Sequence, residues 1–285
     1  MALLARNRAL AAICVLASAA LCGGEKPIIV GLVMDGATQE ERAPLEAYLT
    51  NAVGQPINLV APSTSRETVA HLGDGTYDFA CLGALMYIRS HALYGVIPVV
   101  QRATDLHDVP VFITGTDSSI YSLSDLKGKQ FAFGDIDSTS AHLMAYLTLK
   151  QAGINPDTEL RLRFSWSHPE TAALVATGVV DAGAIDKTVL DFLIRTGKLD
   201  STKVRVFYTS DPYVDYVFVA RKDVPKAAQE KFVSALLALK NGKDDRVLKI
   251  LRAHKFVLAS DEKYASTRQI AHETRDVLSR RAGLH

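Results

Sequence analysis

The stretch Phe133-Gly134-Asp135-Ile136-Asp137-Ser138-Thr139-Ser140-Ala141-His142-Leu143 joins a β-rich run, Gln130 to Phe133, to a helical pattern from Ser140 to Ala152 through a short polar turn. Strand, turn and helix in that order is the repeating unit of α/β folds. Hydroxyl residues at a helix start accept hydrogen bonds from backbone N–H groups that lack a partner in the first turn. The same N–H groups, at the positive end of the helix dipole, can hold an anion instead. One cap is enough for a helix, so three hydroxyls in a row leave two readings open: a generous cap, or an anion-binding turn made by Ser138, Thr139 and Ser140.

The alternation extends in both directions from this turn. Downstream come Arg161 to Phe164, a helix from Pro169 to Thr177 ended by Gly178, Val180 to Ile185, a helix from Lys187 to Thr196, and Val204 to Thr209. Upstream, Ile28 to Val33 reads as a strand, and Leu45, Leu49 and Val53 mark the apolar stripe of a helix. Ile57 to Ala61, a helix near Glu67 to Leu72, and Tyr77 to Leu82 complete a first βαβαβ series. A strand from Asp215 to Ala220 follows the second series, and the rest reads as helical from Pro225.

The expected fold class is therefore α/β, with mostly parallel sheets and two lobes joined by extended crossings near Val109 to Gly115 and Thr209 to Tyr216. Residues 25–112 plus 213–285 would form one lobe and 113–212 the other, with a ligand held in the cleft between them, as in hinge-closing binding proteins.

The N-terminus sets the expected compartment. Arg6 and Arg8 precede an apolar run from Ala9 to Leu21, and Ala17-Ser18-Ala19 fits a small-residue cleavage pattern, so residues 1–24 read as a secretory signal. The run is too short to span a bilayer, which needs roughly 20 apolar residues. Cys22 is a possible lipidation point, although Leu21 before it is larger than that processing favours. Removing the leader takes the formal charge from +1 to −1, which offers nothing to nucleic acid or to an acidic membrane surface. Cys14 leaves with the leader, so Cys22 and Cys81 do not amount to a disulfide scaffold. Hydrophobic residues make up 48% of the chain, enough for one large core or two moderate ones.

Familiar catalytic and cofactor signatures are missing: there is no G-x-S-x-G elbow, H-E-x-x-H helix, C-x-x-C pair or glycine-rich nucleotide loop. The enzyme reading that survives uses Ser140 as a nucleophile with His168 and either Asp186 or Asp215, giving a serine hydrolase. No cofactor or metal site is expected.

Several longer segments point elsewhere. DSTSAHLMAY, then SWSHPETAALVATGVVDAGAID, then YTSDPYVDYVFVARKDVP, with APSTSRETVAHLGDGTYDFACLGALMY near the start, occur in the order and spacing of one family. In these segments the chain resembles the phosphate/phosphite/phosphonate family of periplasmic binding proteins that serve ABC importers, over nearly all of the mature sequence. The resemblance implies a two-lobed, type II-like periplasmic-binding-protein fold, a small oxyanion ligand, a membrane permease as partner, and no catalysis. It also implies site residues: the turn Ser138, Thr139 and Ser140 on the ligand's oxygens, His168 as a donor, and Asp215 as an acceptor from a ligand hydroxyl.

The chain departs from the family pattern at four positions. Thr188 stands where members that take aminoalkyl phosphonates carry a glutamate, and it cannot pair with an amine. Thr64 and Asp108 replace tyrosines of the first-lobe half of the pocket. Cys81 replaces an aromatic residue at the cleft edge. A buried free cysteine is usually a small apolar residue. A branch of the family senses arsenite through a single cysteine, so a second reading makes Cys81 an arsenite ligand in a periplasmic sensor that signals to a membrane histidine kinase.

Overall fold

The structure, a computed structural model, describes residues 26–32 and 38–274. The leader segment 1–24, Cys22 and Val33 lie outside the described residues.

Two mixed sheets organise the chain. The first contains β1 (Ile28–Leu32), β2 (Ile57–Val60), β3 (Phe79–Leu82), β4 (Ile97–Arg102), β10 (Val217–Ala220) and β11 (Phe256–Leu258), in the spatial order β11-β4-β10-β3-β1-β2. The second contains β5 (Pro110–Gly115), β6 (Gln130–Phe133), β7 (Arg161–Phe164), β8 (Ala182–Asp186) and β9 (Val204–Thr209), in the order β7-β6-β8-β5-β9. Helices α1 (Gln39–Val53), α2 (Ser65–Gly73) and α3 (Ala84–Tyr94) connect the strands of the first sheet, with α8 (Lys226–Leu237), α9 (Asp245–Ile250) and α10 (Ala265–Glu273) from the tail. The second sheet carries α4 (Ala145–Gln151), the short α5 (Pro156–Glu159), α6 (His168–Ala176) and α7 (Lys187–Arg195).

Each sheet departs from the mostly parallel expectation in the same way. β1 pairs parallel with β2 and β3, and β6 pairs parallel with β7 and β8. The strand that arrives from the other half then inserts antiparallel: β10 between β3 and β4, and β5 between β8 and β9. The chain therefore passes between the sheets at 103–109 and 210–216. Residues 110–115, where the sequence suggests an extended crossing, are already an internal strand. The two passages touch through mutual backbone hydrogen bonds of 2.9 Å between Asp108 and Tyr213. The tail is not wholly helical either, because Phe256–Leu258 adds a strand on the β4 edge.

Side chains alternate across each sheet, so each sheet has a core on both faces. In β10, Phe218 and Ala220 join the core under α1, α8 and α9, while Val217 and Val219 join the one under α2 and α3. In β5, Val111 and Ile113 face one way and Phe112 the other. Burial on both faces is why these strands read as continuous apolar runs rather than as alternating ones. Among the described residues no helix is long and apolar enough to cross a membrane.

Phe232 of α8 is fully buried and stacks on Phe79 of β3 with ring centroids 4.2 Å apart. Phe232→Ala is expected to lower the unfolding free energy by about 3–5 kcal/mol through lost burial and the cavity left behind. Urea denaturation of the variant beside the parent chain measures it.

Candidate functional site

The turn after β6 is built by its own sequence. Asp135 accepts the Asp137 N–H on its side chain at 2.7 Å and the Ser138 N–H on its carbonyl at 2.9 Å. Ser138 Oγ accepts the Ala141 N–H at 3.1 Å, so this hydroxyl is the cap. The following turn, Thr139–Met144, is π-helical, with the Leu143 N–H bonded to the Ser138 carbonyl at 3.1 Å; α4 continues from it. Wide turns of this kind recur at functional sites. His142 is fully buried, bonds the Ile136 carbonyl at 2.7 Å, and lies between the rings of Phe133 and Phe164, which pins the loop over its helix. Gly134 is needed here, since a Cβ would come within 2.7 Å of the Ala141 Cβ.

The turn from the second sheet meets α3 of the first. The leading N–H groups of α3 have no partner inside the helix. Thr139 Oγ1 accepts the Leu85 N–H at 3.0 Å, and Asp215 Oδ1, from the second passage, accepts the Ala84 N–H at 2.9 Å. The residue before α3 is Gly83, where a Cβ would sit 3.1 Å from Thr139 Oγ1 and 3.4 Å from Asp215 Oδ1. A second bridge lies beside the first. Asp137, whose side chain is 3% exposed, receives Arg66 Nε of α2 at 2.5 Å and Arg89 Nη1 of α3 at 2.6 Å. That pairing holds the Arg66 guanidinium even more firmly charged.

Between these elements lies a cavity of about 360 Å³. Ser138, Thr139, His168, Cys81 and Thr64 line it, together with Trp166. Ser140 does not line it: the side chain is buried beneath, and its Oγ has no hydrogen-bond partner. Thr64 is exposed and caps α2 by accepting the Glu67 N–H at 3.1 Å. Ser167 caps α6, placing His168 at the first helical position. His168 Nδ1 accepts the Asp186 N–H at 3.3 Å, which leaves the ring proton on Nε2 as a donor. Cys81 is half-buried, and burial pushes its thiol up to about 12, so it is a neutral thiol near neutral pH.

Three more predicted residues, Thr188, Asp108 and Asp215, lie off the cavity lining. Thr188 lines a separate cavity with Thr104, Arg195 and His254, so its lack of a carboxylate says nothing about an amine in the main cavity. Asp108 belongs to a buried group with Asp186 and Asp215, whose nearest oxygens all lie within 4.8 Å of one another behind the cavity wall. Burial, then the neighbouring carboxylates, hold Asp108 protonated well above the ordinary carboxylate range. Asp215 is raised to about 7, chiefly by burial, against the hydrogen bonds that it accepts from Tyr213 Oη and the Ala84 N–H. The serine hydrolase geometry does not form: Ser140 Oγ bonds nothing, and His168 meets the backbone of Asp186 rather than its carboxylate.

Sequence reasoning missed Arg66, Arg89 and Asp137. Asp137 stands beside the serine turn, and Arg66 follows the Thr64 cap, but nothing in either segment tells that they meet.

The model of a family described as ABC transporter, phosphonate, periplasmic substrate-binding protein matches residues 35–264. A probable ABC transporter phosphite-binding protein, PhnD1 of Prochlorococcus marinus (strain MIT 9301), is 30% identical over 188 residues, which are 61% of this chain and 63% of that relative's length. The solved structure of PhnD1 from this organism in complex with methylphosphonate superposes with a TM-score of 0.80 at 25% identity, covering 88% of this chain and 98% of that one. A binding-protein component of a phosphonate transporter from Pseudomonas aeruginosa shares the fold, with a TM-score of 0.78 at 19% identity, covering 87% of this chain and 86% of its own.

Two predictions follow from the bonds just described. Asp215 titrates near 7 in the folded chain and near 3.9 when unfolded, so across that window the folded state holds a proton that the unfolded state has lost. This contribution to stability is fully present below about pH 4 and is lost as pH rises to about 7. Calorimetric melting from pH 4 to 8 is expected to show a smaller decline for Asp215→Asn than for the parent; equal declines would remove Asp215 as the source. Asp137→Asn keeps the shape and removes the charge that the two arginines share. It is expected to weaken closure by about 1–3 kcal/mol and to raise the radius of gyration of the ligand-free chain in small-angle scattering.

Proposed function

The chain belongs to the ABC-transporter phosphonate family of periplasmic substrate-binding proteins, and from that membership we propose that it is exported to the periplasm and binds a small phosphite- or phosphonate-like oxyanion. It delivers this ligand to an ABC permease and catalyses no reaction. The observation that carries the reading is one cavity bordered by the N-terminal turn of the π–α4 helix and by His168 with its Nε2 proton free to donate. Backbone N–H groups at a helix start, hydroxyls and an imidazole N–H form a donor set for an oxyanion, and a low-dielectric cleft strengthens each bond.

Binding and closure are one event in this arrangement. The turn that meets the anion is the turn whose Thr139 and Asp137 grip α2 and α3 of the other half. Ligand on the turn therefore stabilises the closed pair of sheets. Asp215 lies behind the wall with its two oxygens accepting from the Ala84 N–H and from Tyr213 Oη, and so positions the start of α3 beside the cavity. Under this reading the leader 1–24 is removed on export; a lipid anchor at Cys22 would instead need cleavage just before that residue.

The arsenite-sensor alternative is not favoured. Cys81 lines the cavity as a neutral thiol, and the family that the chain matches is described by phosphonate rather than by a metalloid.

Thermal shift of the mature chain against phosphite, phosphate, methylphosphonate, sulfate and arsenite tests the proposal. A ligand at 100 times its dissociation constant adds about 2.7 kcal/mol of stability, and at least one phosphorus oxyanion is expected to do so. No shift with any of them would sink it. Ser138→Ala removes a hydroxyl that lines the cavity and is expected to weaken binding by about 1.5–3 kcal/mol. Unchanged affinity by titration calorimetry would take Ser138 out of the site.

A further inference from the structure

A second cavity, also of about 360 Å³, lies on the other flank of the passages between the sheets. In the first sheet, the loops after β2 and β3 border the ligand cavity, whereas Thr104, just after β4, and His254, just before β11, border the second. β10 stands between β3 and β4, so the two cavities lie on opposite sides of it. Helix α7 of the other half supplies Asp191 and Arg195 to the second cavity. Both halves of the molecule therefore face it, and no described residue lines both cavities.

The two cavities differ in charge. Among the described residues no lysine or arginine lines the ligand cavity, while Asp135 and Asp137 do. Arg195, Lys249, Arg252 and His254 line the second. Its two carboxylates are engaged at short range: Asp191 accepts Lys187 Nζ at 2.6 Å, and Asp245 Oδ1 accepts the Gly242 N–H at 2.7 Å. The Arg252 guanidinium lies 4.5 Å from the centroid of the Phe192 ring of α7, which holds a cation of the tail against the other half. Arg195 of α7 and Lys249 of α9 make no ion pair or hydrogen bond among the described residues. A concave wall that gathers charges of one sign concentrates counter-ions. Arginine offers a planar fork that matches phosphoryl oxygens, and lysine adds a point charge. The volume is that of roughly a dozen waters in the liquid, room for two linked phosphoryl groups.

We propose that the second cavity is a separate anion site, which takes a multiply charged oxyanion of the pyrophosphate type and holds it between Arg195 of α7 and Lys249 of α9. The ligand cavity offers hydroxyls and N–H groups beside two carboxylates, a set that suits an anion of low charge. The second offers permanent cations from both halves, a set that suits high charge. Those cations are exposed, so binding there weakens as salt rises. The inference does not rest on the reading of the ligand cavity.

Titration calorimetry of the mature chain with inorganic pyrophosphate, and separately with methylphosphonate, on the parent, Arg195→Gln, Lys249→Gln and Ser138→Ala, tests it. The parent is expected to bind pyrophosphate, more tightly at low than at physiological salt. Arg195→Gln and Lys249→Gln are each expected to weaken pyrophosphate about fivefold and to leave methylphosphonate as in the parent, and Ser138→Ala to do the reverse. Melting curves serve as the fold control, and both glutamine variants should melt as the parent does, since the side chains replaced are exposed. A parent that does not bind pyrophosphate, an affinity that either glutamine variant leaves unchanged, or a loss of pyrophosphate on Ser138→Ala, which would seat it in the ligand cavity, would each overturn the inference. So would an equal loss of methylphosphonate in the glutamine variants. A parent that binds pyrophosphate but not methylphosphonate supports the second site and strikes the reading of the ligand cavity instead.

Discussion

The start of α3 is the point on which the rest of the molecule depends. A helix leaves its first N–H groups unpaired, and here Gly83 supplies no side chain to meet them. The acceptors come from far along the chain: Thr139 from the turn of the second sheet and Asp215 from the returning passage. Two bonds from backbone N–H groups to side-chain oxygens thus tie together both sheets and one of the passages between them. A Cβ at position 83 would crowd Thr139 Oγ1 at 3.1 Å and touch Asp215 Oδ1 at 3.4 Å.

Around that junction the charges are arranged to tolerate burial rather than to avoid it. Arg102 grips Asp105 with two bonds, of 2.6 and 2.8 Å, and Asp105 rises to about 6 because desolvation outweighs even that pairing. Asp108, Asp186 and Asp215 lie close together, and burial of like charges at that distance favours protonation of part of the group. Burial thus raises Asp108 and Asp215 above the ordinary carboxylate range. Anion attraction is left to the N-terminal turn, with His168 beside it. Farther out, Asp137 pairs with both Arg66 and Arg89 and so joins the turn to α2 and α3.

Much of this was legible in the amino-acid order. Apolar runs such as VFIT and FVA name strands buried on both faces, and the serine-rich turn after Phe133 marks the start of a helix. Other features were hidden for specific reasons. Phe256–Leu258 is three residues long and gives no periodic pattern to read. The antiparallel insertions of β5 and β10 depend on which sheet receives each strand, which local pattern does not encode. Thr188 aligns with a ligand residue of the family yet opens into a different cavity, because one helical position decides which side of α7 a residue serves.

The sequence by itself determined the α/β class, the two series of strands and helices, the turn at Ser138 to Ser140, and the absence of recognisable catalytic motifs, because these follow from periodicity, capping and residue chemistry within a few positions. Only the tertiary structure decided that Asp137 joins Arg66 and Arg89, that Ser140 lies beneath the cavity rather than on its wall, and that His168 carries its proton on Nε2. These are facts about distance and burial between segments dozens of residues apart, and they exist only once the two sheets have come together.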